Sequence, residues 1–324
     1  MNFMKTLKKI IPTLIIALLL FQSCKDDDTD VVIIPETNTI VDIAVASDNL
    51  TSLVAALQKA NLVTTLAGDG PFTVLAPTND AFAAFLTSNG FSSLDDVPVD
   101  ILTNILLNHV VSGSIASTDL STGYANTLAT SSASGTGMSL YIDISNGVRF
   151  NGVSSVSMAD ILADNGIVHV VDAVIGLPSV VTFAVADPTF STLVAALTRD
   201  DLTTNFVGVL STATGTSPAP FTVFAPTNDA FGSLLSELSI AGLADIDEPT
   251  LDAVLKNHVV AGLNVFDTDL TDNMTVPTLG GDITANVTGG ATLTDNSGRI
   301  IDIIATNVQA DNGVIHAINR VILP

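Results

Sequence analysis

The chain contains the same sentence twice, and this limits what it can fold into more than any other feature. Phe72-Thr-Val-Leu-Ala-Pro-Thr-Asn-Asp-Ala-Phe82 returns as Phe221-Thr-Val-Phe-Ala-Pro-Thr-Asn-Asp-Ala-Phe231. Asn108-His109-Val-Val returns as Asn257-His258-Val-Val, and Asp164-Asn-Gly-Ile-Val-His169 as Asp311-Asn-Gly-Val-Ile-His316. The three offsets are 149, 149 and 147. A near-constant offset over separated motifs marks duplication of a whole unit. A unit of roughly 100–200 residues is a domain rather than a solenoid repeat. The boundaries are set at 38–178 and 179–324. Ser52-Leu-Val-Ala-Ala-Leu57 matches Thr192-Leu-Val-Ala-Ala-Leu197 at an offset of 140, so copy two carries a nine-residue insertion before its next motif. The Gly, Ser, Thr and Pro content of Val207–Pro220 places it there, as a surface loop. The junction Gly176-Leu-Pro178 is so short that the copies are expected to touch.

Residues 1–23 have the layout of a secretory signal: Lys5, Lys8 and Lys9, then the apolar run Ile10 to Phe21. That run is shorter than the about 20 residues needed to span a bilayer. Phe21-Gln-Ser-Cys24 resembles a bacterial lipoprotein cleavage box, with Cys24 as the lipid-bearing residue. The alternative is cleavage elsewhere, leaving a free thiol. Cys24 is the sole cysteine, which excludes a disulfide framework within one chain. Lys25-Asp-Asp-Asp28 resembles the surface-export signal of Bacteroidetes-type lipoproteins. Residues 24–37 form an acidic tether. The expected location is a lipid anchor in the bacterial outer membrane, facing outward.

Loss of residues 1–23 leaves 7 basic against 33 acidic residues, a net charge of −26. Nucleic-acid binding needs a basic footprint that releases counterions, so that class is excluded. With no Trp and only Tyr124 and Tyr141, the cores must be built from Val, Leu, Ile and Phe.

Within copy one, Leu50, Leu53, Val54 and Leu57 recur at helical spacing, which predicts a helix over 40–61 with Asp48 or Asn49 as cap. Phe72–Ala76 reads as a strand stopped by Pro77. Thr78-Asn79-Asp80 opens a second helix with Phe82, Phe85 and Leu86 inward. Pro98 opens a third, through Ile101, Leu102, Ile105 and Leu106, ending near His109. From Val110 onward the chain reads as strands: Leu140–Ile144, Val148–Phe150 after a Ser145-Asn-Gly147 turn, Val156–Leu162 and Ile167–Ile175.

Helices followed by strands, carrying these motifs in this order, resemble the fasciclin (FAS1) domain. The Phe-Thr-Val-x-Ala-Pro-Thr-Asn-Asp-Ala-Phe segment is similar to the family's first signature, and Asp-Asn-Gly-x-x-His to its second. The resemblance covers residues 38–324. It implies an α+β fold of two tandem β-wedges with packed helices. It also implies extracellular adhesion or interaction without catalysis, toward a protein or polysaccharide partner. Where the family often has an aromatic residue before the middle histidine, this chain has Asn108 and Asn257. Receptor contacts in some animal members lie at an Asp-Ile pair before the second signature. Asp160-Ile161 matches that pair and is the candidate partner-binding site, whereas copy two has Asn307-Val308.

The remaining candidates read as structural. Thr78 and Thr227 are helix caps, and Asp80 and Asp229 complement the positive helix ends. His109 and His258 fall at helix C-termini, where free carbonyls suit an N–H donor. His169 and His316 share strand faces with apolar neighbours. No His-Glu-x-x-His, Gly-x-Ser-x-Gly or phosphate-binding loop occurs, so no metal, cofactor or catalytic residue is assigned. A second reading is a glycan-binding accessory lipoprotein for polysaccharide capture, with Tyr124 and Tyr141 as stacking platforms.

Overall fold

The computed structural model describes residues 38–324. The signal segment, the tether and Cys24 lie outside the described residues. Copy one runs α1 (Ile40–Ala46), α2 (Thr51–Lys59), α3 (Val63–Leu66), β1 (Phe72–Pro77), α4 (Asn79–Ser88), α5 (Val99–Leu107) and β2 (Val110–Ser112). It continues through β3 (Gly123–Thr130), β4 (Gly137–Asp143), β5 (Arg149–Phe150), β6 (Ser154–Ala163) and β7 (Gly166–Val171). Copy two repeats the order: α6 (Val180–Ala186), α7 (Ser191–Leu197), α8 (Phe206–Leu210), β8 (Phe221–Pro226), α9 (Asn228–Leu238), α10 (Glu248–Lys256) and β9 (Val259–Ala261). Its remaining strands are β10 (Met274–Thr278), β11 (Gly281–Asn286), β12 (Thr292–Thr294), β13 (Ile300–Ala310) and β14 (Gly313–Ile318). This is the tandem α+β architecture the motifs implied.

The first and second signatures of each copy are paired strands. β1 runs parallel to β7, with Phe72 opposite Gly166 and Leu75 opposite His169. β8 runs parallel to β14 in the same register, with Phe221 opposite Gly313. In copy one the strands close into a barrel, and in copy two they form a seven-stranded sheet in the equivalent order. The glycine of Asp-Asn-Gly permits the pairing. A Cβ on Gly166 would lie 2.0 Å from Phe72 O, and one on Gly313 would lie 2.3 Å from Phe221 O. The preceding asparagine ties the strand turn to the helical layer. Asn165 Oδ1 accepts the Ile40 N–H at 2.9 Å, and its Nδ2 donates to Leu66 O and Gly68 O. Asn312 does the same with Val180, Leu210 and Thr212.

Three expectations need correction. The helix over 40–61 is two helices that meet at 104°, across a tight turn at Asp48–Leu50. Its apolar stripe continues through the bend, so periodicity alone did not show the break. The strand β3 had no clear alternation in Tyr-Ala-Asn-Thr-Leu-Ala and was missed. The insertion is not one loop in Val207–Pro220, because α8 runs into that stretch from Phe206 and buries Phe206 and Leu210. Lys59 and Arg199 hold equivalent carbonyls, and Leu66 and Leu210 are held alike by Asn165 and Asn312. Measured from these anchors, the extra residues fall on both sides of α8. Seven positions separate Arg199 from Phe206 where three separate Lys59 from Leu62, and eleven separate Leu210 from Phe221 where six separate Leu66 from Phe72.

The cores are aliphatic and phenylalanine-rich, as the composition required. Leu50, Leu53, Leu57, Phe82 and Leu102 fill copy one, and Phe183, Phe190, Phe221 and Phe231 fill copy two. Each such side chain, fully buried, contributes about 1.5–3 kcal/mol. In α5, Leu102, Ile105 and Leu106 are buried, and Ile101 lies on the outer side at 47% exposure.

Candidate functional site

In the Thr-Asn-Asp motif, each residue has a distinct task. Thr78 Oγ1 accepts the Ala81 N–H at 3.2 Å, and Thr227 Oγ1 accepts that of Ala230 at 3.2 Å, so each caps its own helix. Asp80 and Asp229 stand in the first turns of α4 and α9, at the positive ends of those helices. Asn79 reaches across to another helix. Its Oδ1 accepts from the Ser52 N–H (2.8 Å) and Thr51 Oγ1 (3.1 Å), and its Nδ2 donates to Asp48 O (2.8 Å). Asn228 makes the same three bonds to Thr192, Ser191 and Pro188. The cap of α2 is therefore Asn79, not Asp48 or Asn49.

The four histidines are buried and fully engaged by backbone. His109 Nδ1 donates to Ile105 O (2.7 Å), and its Nε2 accepts the Ile175 N–H (2.9 Å). His258 repeats this with Val254 O and the Ile322 N–H. The partners fix the tautomer, because a peptide N–H only donates and a carbonyl only accepts. His169 and His316 use the opposite tautomer. His169 Nε2 donates to Ile115 O (3.0 Å) and its Nδ1 accepts the Asp160 N–H (3.2 Å). His316 Nε2 donates to Val265 O (2.9 Å) and its Nδ1 accepts the Asn307 N–H (3.4 Å). Burial pulls His109 and His258 down to about 4 and lowers His316 as well. With both ring nitrogens held, these side chains have no free position for a substrate or a metal.

The structure places Asp160 in a local network. It sits at a bulge of β6 with φ +60°, and its carboxylate accepts the Ser117 N–H (2.7 Å) and Ser117 Oγ (2.5 Å). Those bonds, the Ser117 hydroxyl first, hold its carboxyl below the usual range. Asn307 stands at the matching bulge of β13 with φ +61° and accepts the Asp267 N–H (3.0 Å). The two copies thus solve one turn with two different Asx side chains. Ile161 packs against the copy-one core. Asn108 and Asn257 are also structural. Both are fully buried, and each accepts a threonine hydroxyl, from Thr127 and Thr278 respectively.

The tyrosine expectation is overturned. Tyr141 is 2% exposed and belongs to the core of copy two. Tyr124 lies 5.0 Å from Tyr141 and edge-on to Phe183 at 5.6 Å, and its hydroxyl donates to Asp187 Oδ2 (3.0 Å). Neither ring is a platform for a sugar, because the pair is the aromatic half of the contact between the copies. The polar half centres on Gln309, also 2% exposed. Its backbone N–H donates to Ser139 Oγ (3.0 Å) and its Nε2 lies 3.0 Å from Ser131 Oγ, both in copy one, while Asn264 Oδ1 of its own copy stands 3.1 Å from the same Nε2. Ser131 Oγ donates to Ala310 O (2.7 Å), and the Ser132 N–H donates to Asp311 Oδ1 (2.9 Å). Sequence reading missed Gln309, although aligning the copies exposes it. The equivalent position of β6 is Leu162, which is 71% exposed.

Comparison with known proteins agrees with this architecture. The Fasciclin domain family matches residues 48–178 and 188–324. Protein sll1483 of Synechocystis sp. is 41% identical over 138 residues, covering 42% of this chain and 72% of its own length. Transforming growth factor-beta-induced protein ig-h3 of Sus scrofa is 28% identical over 266 residues, covering 79% of this chain and 35% of its own length. Human periostin is 27% identical over 268 residues, covering 79% and 29%. The chain thus spans about a third of these two animal relatives. A solved FAS1 domain pair from the insect cell adhesion molecule Fasciclin I covers 83% of this chain and 92% of its own, with a TM-score of 0.47 and 20% identity. Two matched segments spanning most of the sequence settle the assignment: the chain belongs to the Fasciclin domain family, as a tandem FAS1 protein.

Proposed function

We propose that this protein is a non-catalytic adhesion or interaction protein of the bacterial surface, anchored in the outer membrane through lipid on Cys24. It would present two FAS1 domains to an extracellular protein or polysaccharide. The observation that carries this reading is the junction. Aromatic and amide contacts between the copies hold the two domains at one spacing, so a binding surface on each would be presented at a fixed separation. Two linked contacts raise the effective concentration of the second, so weak single sites can hold a cell. Commitment of all four histidines to backbone partners supports a scaffold over an enzyme. The glycan reading loses its stated basis with the burial of Tyr141 and the packing of half-buried Tyr124 against Phe183, and polysaccharide remains only as one partner class.

Beads coated with residues 38–324 test the reading against immobilised extracellular proteins, polysaccharides and whole cells, beside uncoated beads. Retention on one of these surfaces, weakened when soluble protein competes, is the expected result. Equal retention of coated and uncoated beads on all of them overturns it. The anchor has its own test. Cys24→Ala should move the protein from the membrane fraction to the soluble fraction, and an unchanged distribution removes the lipid from the proposal.

A further inference from the structure

Five asparagines are followed directly by glycine: Asn89, Asn146, Asn151, Asn165 and Asn312. Such a step carries its own chemistry. The glycine nitrogen can attack the asparagine side-chain carbonyl, because the glycine has no side chain to stand in the way. The ring that closes is a succinimide, and ammonia leaves. The fold decides which of the five can react, because the side-chain amide must first leave its partners and swing onto the next peptide nitrogen.

Three of the five are locked. Asn165 and Asn312 are buried, and the side-chain amide of each holds three backbone groups. Asn151 is buried after β5, and its Oδ1 accepts the Tyr141 N–H at 2.8 Å. Asn89 is exposed after α4 but is restrained twice. Its Nδ2 donates to Phe85 O (2.8 Å), and the Gly90 N–H, on the nitrogen that would attack, donates to Thr87 O (3.2 Å).

Asn146 is exposed and barely held. It stands with Gly147 at the tip of the connection from β4 to β5, where every residue from Ile144 to Gly147 is exposed. Its Nδ2 reaches only the adjacent Ser145 Oγ, at 3.5 Å, beyond the usual range of a hydrogen bond. Gly147 has φ +85°, and nothing lies within 4 Å of the place its Cβ would take. Exposed tips of small and polar residues are where a backbone rearranges without loss of packing. The matching connection of copy two, between β11 and β12, reads Val287-Thr-Gly-Gly-Ala291 and offers no such step.

We propose that Asn146 is a self-modification site, where the fold directs deamidation to one turn of copy one. The Gly147 nitrogen bonds to Asn146 Cγ and gives up its proton. The bond from Cγ to the side-chain nitrogen breaks, and that nitrogen leaves with the proton as ammonia. Water then opens the ring. Opening at Cγ gives aspartate, and opening at the main-chain carbonyl gives isoaspartate. Either product carries an added negative charge. Isoaspartate also lengthens the main chain by a carbon, between Asp143 and Arg149, which face each other across the hairpin. Water is the only co-reactant. The site is independent of the adhesion reading.

The test holds the folded protein at mildly alkaline pH and physiological temperature, beside a sample kept unfolded in urea. Both are digested at acid pH and mapped by mass spectrometry. Each Asn-Gly peptide is read for the mass of an acid in place of an amide, and for a separately eluting isoaspartyl form. In the folded protein Asn146 should convert at least about a hundredfold faster than Asn151, Asn165 and Asn312, which react only from opened states. Asn89 should fall between. In urea the five rates should draw together. Asn146→Gln, at an exposed position, should abolish the first acidic species on anion exchange, because glutamine must close a larger and slower ring. Conversion of Asn146 no faster than Asn165 in the folded protein overturns the proposal. The same lead for Asn146 in urea overturns it as well, since flanking sequence and not the fold would then select the site. So does a first acidic species that persists in the glutamine variant.

Discussion

At the residue scale, the motifs that look like chemistry prove to be joints. The histidines show this most clearly, and they predict a pH dependence. His109 and His258 are held neutral, with Nε2 accepting a peptide N–H, so a second proton would oppose that donor. Their folded pKa of about 4 lies below the ordinary value of 6.5. Between these values the unfolded chain binds more protons than the folded one, so stability must fall as pH falls. It is complete above pH about 6.5, declines toward pH about 4 and is not further reduced by these groups below that. The loss approaches about 3 kcal/mol per histidine at the lower end. His316, also lowered by burial, adds in the same direction. The lowered carboxylates, Asp295 and Asp267 among them, act below the usual carboxylate value and so mark a later, more acidic loss. Urea unfolding across this range should give a free energy that drops steeply between pH about 6 and 4.5. A curve flat to pH 4.5 would mean the imidazoles are not buried as described. The sequence showed that all four histidines sit in repeated motifs, two at helix ends and two on apolar strand faces. It did not show which nitrogen donates, because the partners Ile115, Ile175, Val265 and Ile322 come from distant segments.

At the scale of elements, both signatures act by joining helix to strand, and their substitutions should differ in kind. Asn79→Ala removes three bonds that hold the bend between α1 and α2. It should cost about 1–2 kcal/mol, the range for a lost cap, and Asn228→Ala should cost copy two a similar amount. Chemical denaturation of the two variants checks this, and a loss below about 0.3 kcal/mol in both would show that the bend holds without the asparagine. Gly166→Ala is harsher, because the new Cβ would meet Phe72 O in the central parallel pair and φ is +155°. More than about 3 kcal/mol should be lost. Gly90→Ala is the control. There φ is +73° and nothing lies within 4 Å, so the left-handed backbone alone should cost about 1–2 kcal/mol. Equal losses at the two glycines would deny the close approach. Element type and order were legible from periodicity and the repeated motifs. The bend at Asp48–Leu50 was not, because the residue that makes it, Asn79, lies some thirty positions on. The strand β3 escaped because its neighbours, rather than its own alternation, define it. The insertion misled because a helix anchored by Phe206 and Leu210 runs into a stretch of loop-like composition.

At the scale of the whole molecule, the duplication is not symmetric in use. Copy one gives β3, β4 and its two tyrosines to the junction, and copy two gives Phe183, Asp187 and Gln309. A contact between unlike surfaces leaves the corresponding face of each copy unmatched. On copy one that face carries Leu162 in place of Gln309, and the exchange of one residue at a repeated position separates a buried junction from an open surface. Coupling this tight should make the two domains unfold as one unit. Calorimetry of residues 38–324 should give a single transition, with calorimetric and van't Hoff enthalpies equal. Tyr124→Ala combined with Gln309→Ala removes the packing against Phe183, the hydrogen bond to Asp187 and the side-chain bond from Gln309 to Ser131 across the junction. The copies should then melt separately, in two transitions. Fragments cut at residue 178 are a poorer probe, since they would expose Tyr141 and Phe183 together and aggregate for reasons unrelated to binding. The same double variant therefore also tests the adhesion reading, because both folds persist while their spacing is released. Bead retention should fall if a fixed pair of surfaces matters and should be unchanged if a single domain suffices. Two transitions in the unmodified protein would show that the junction couples nothing, and the argument from fixed spacing would fail with it.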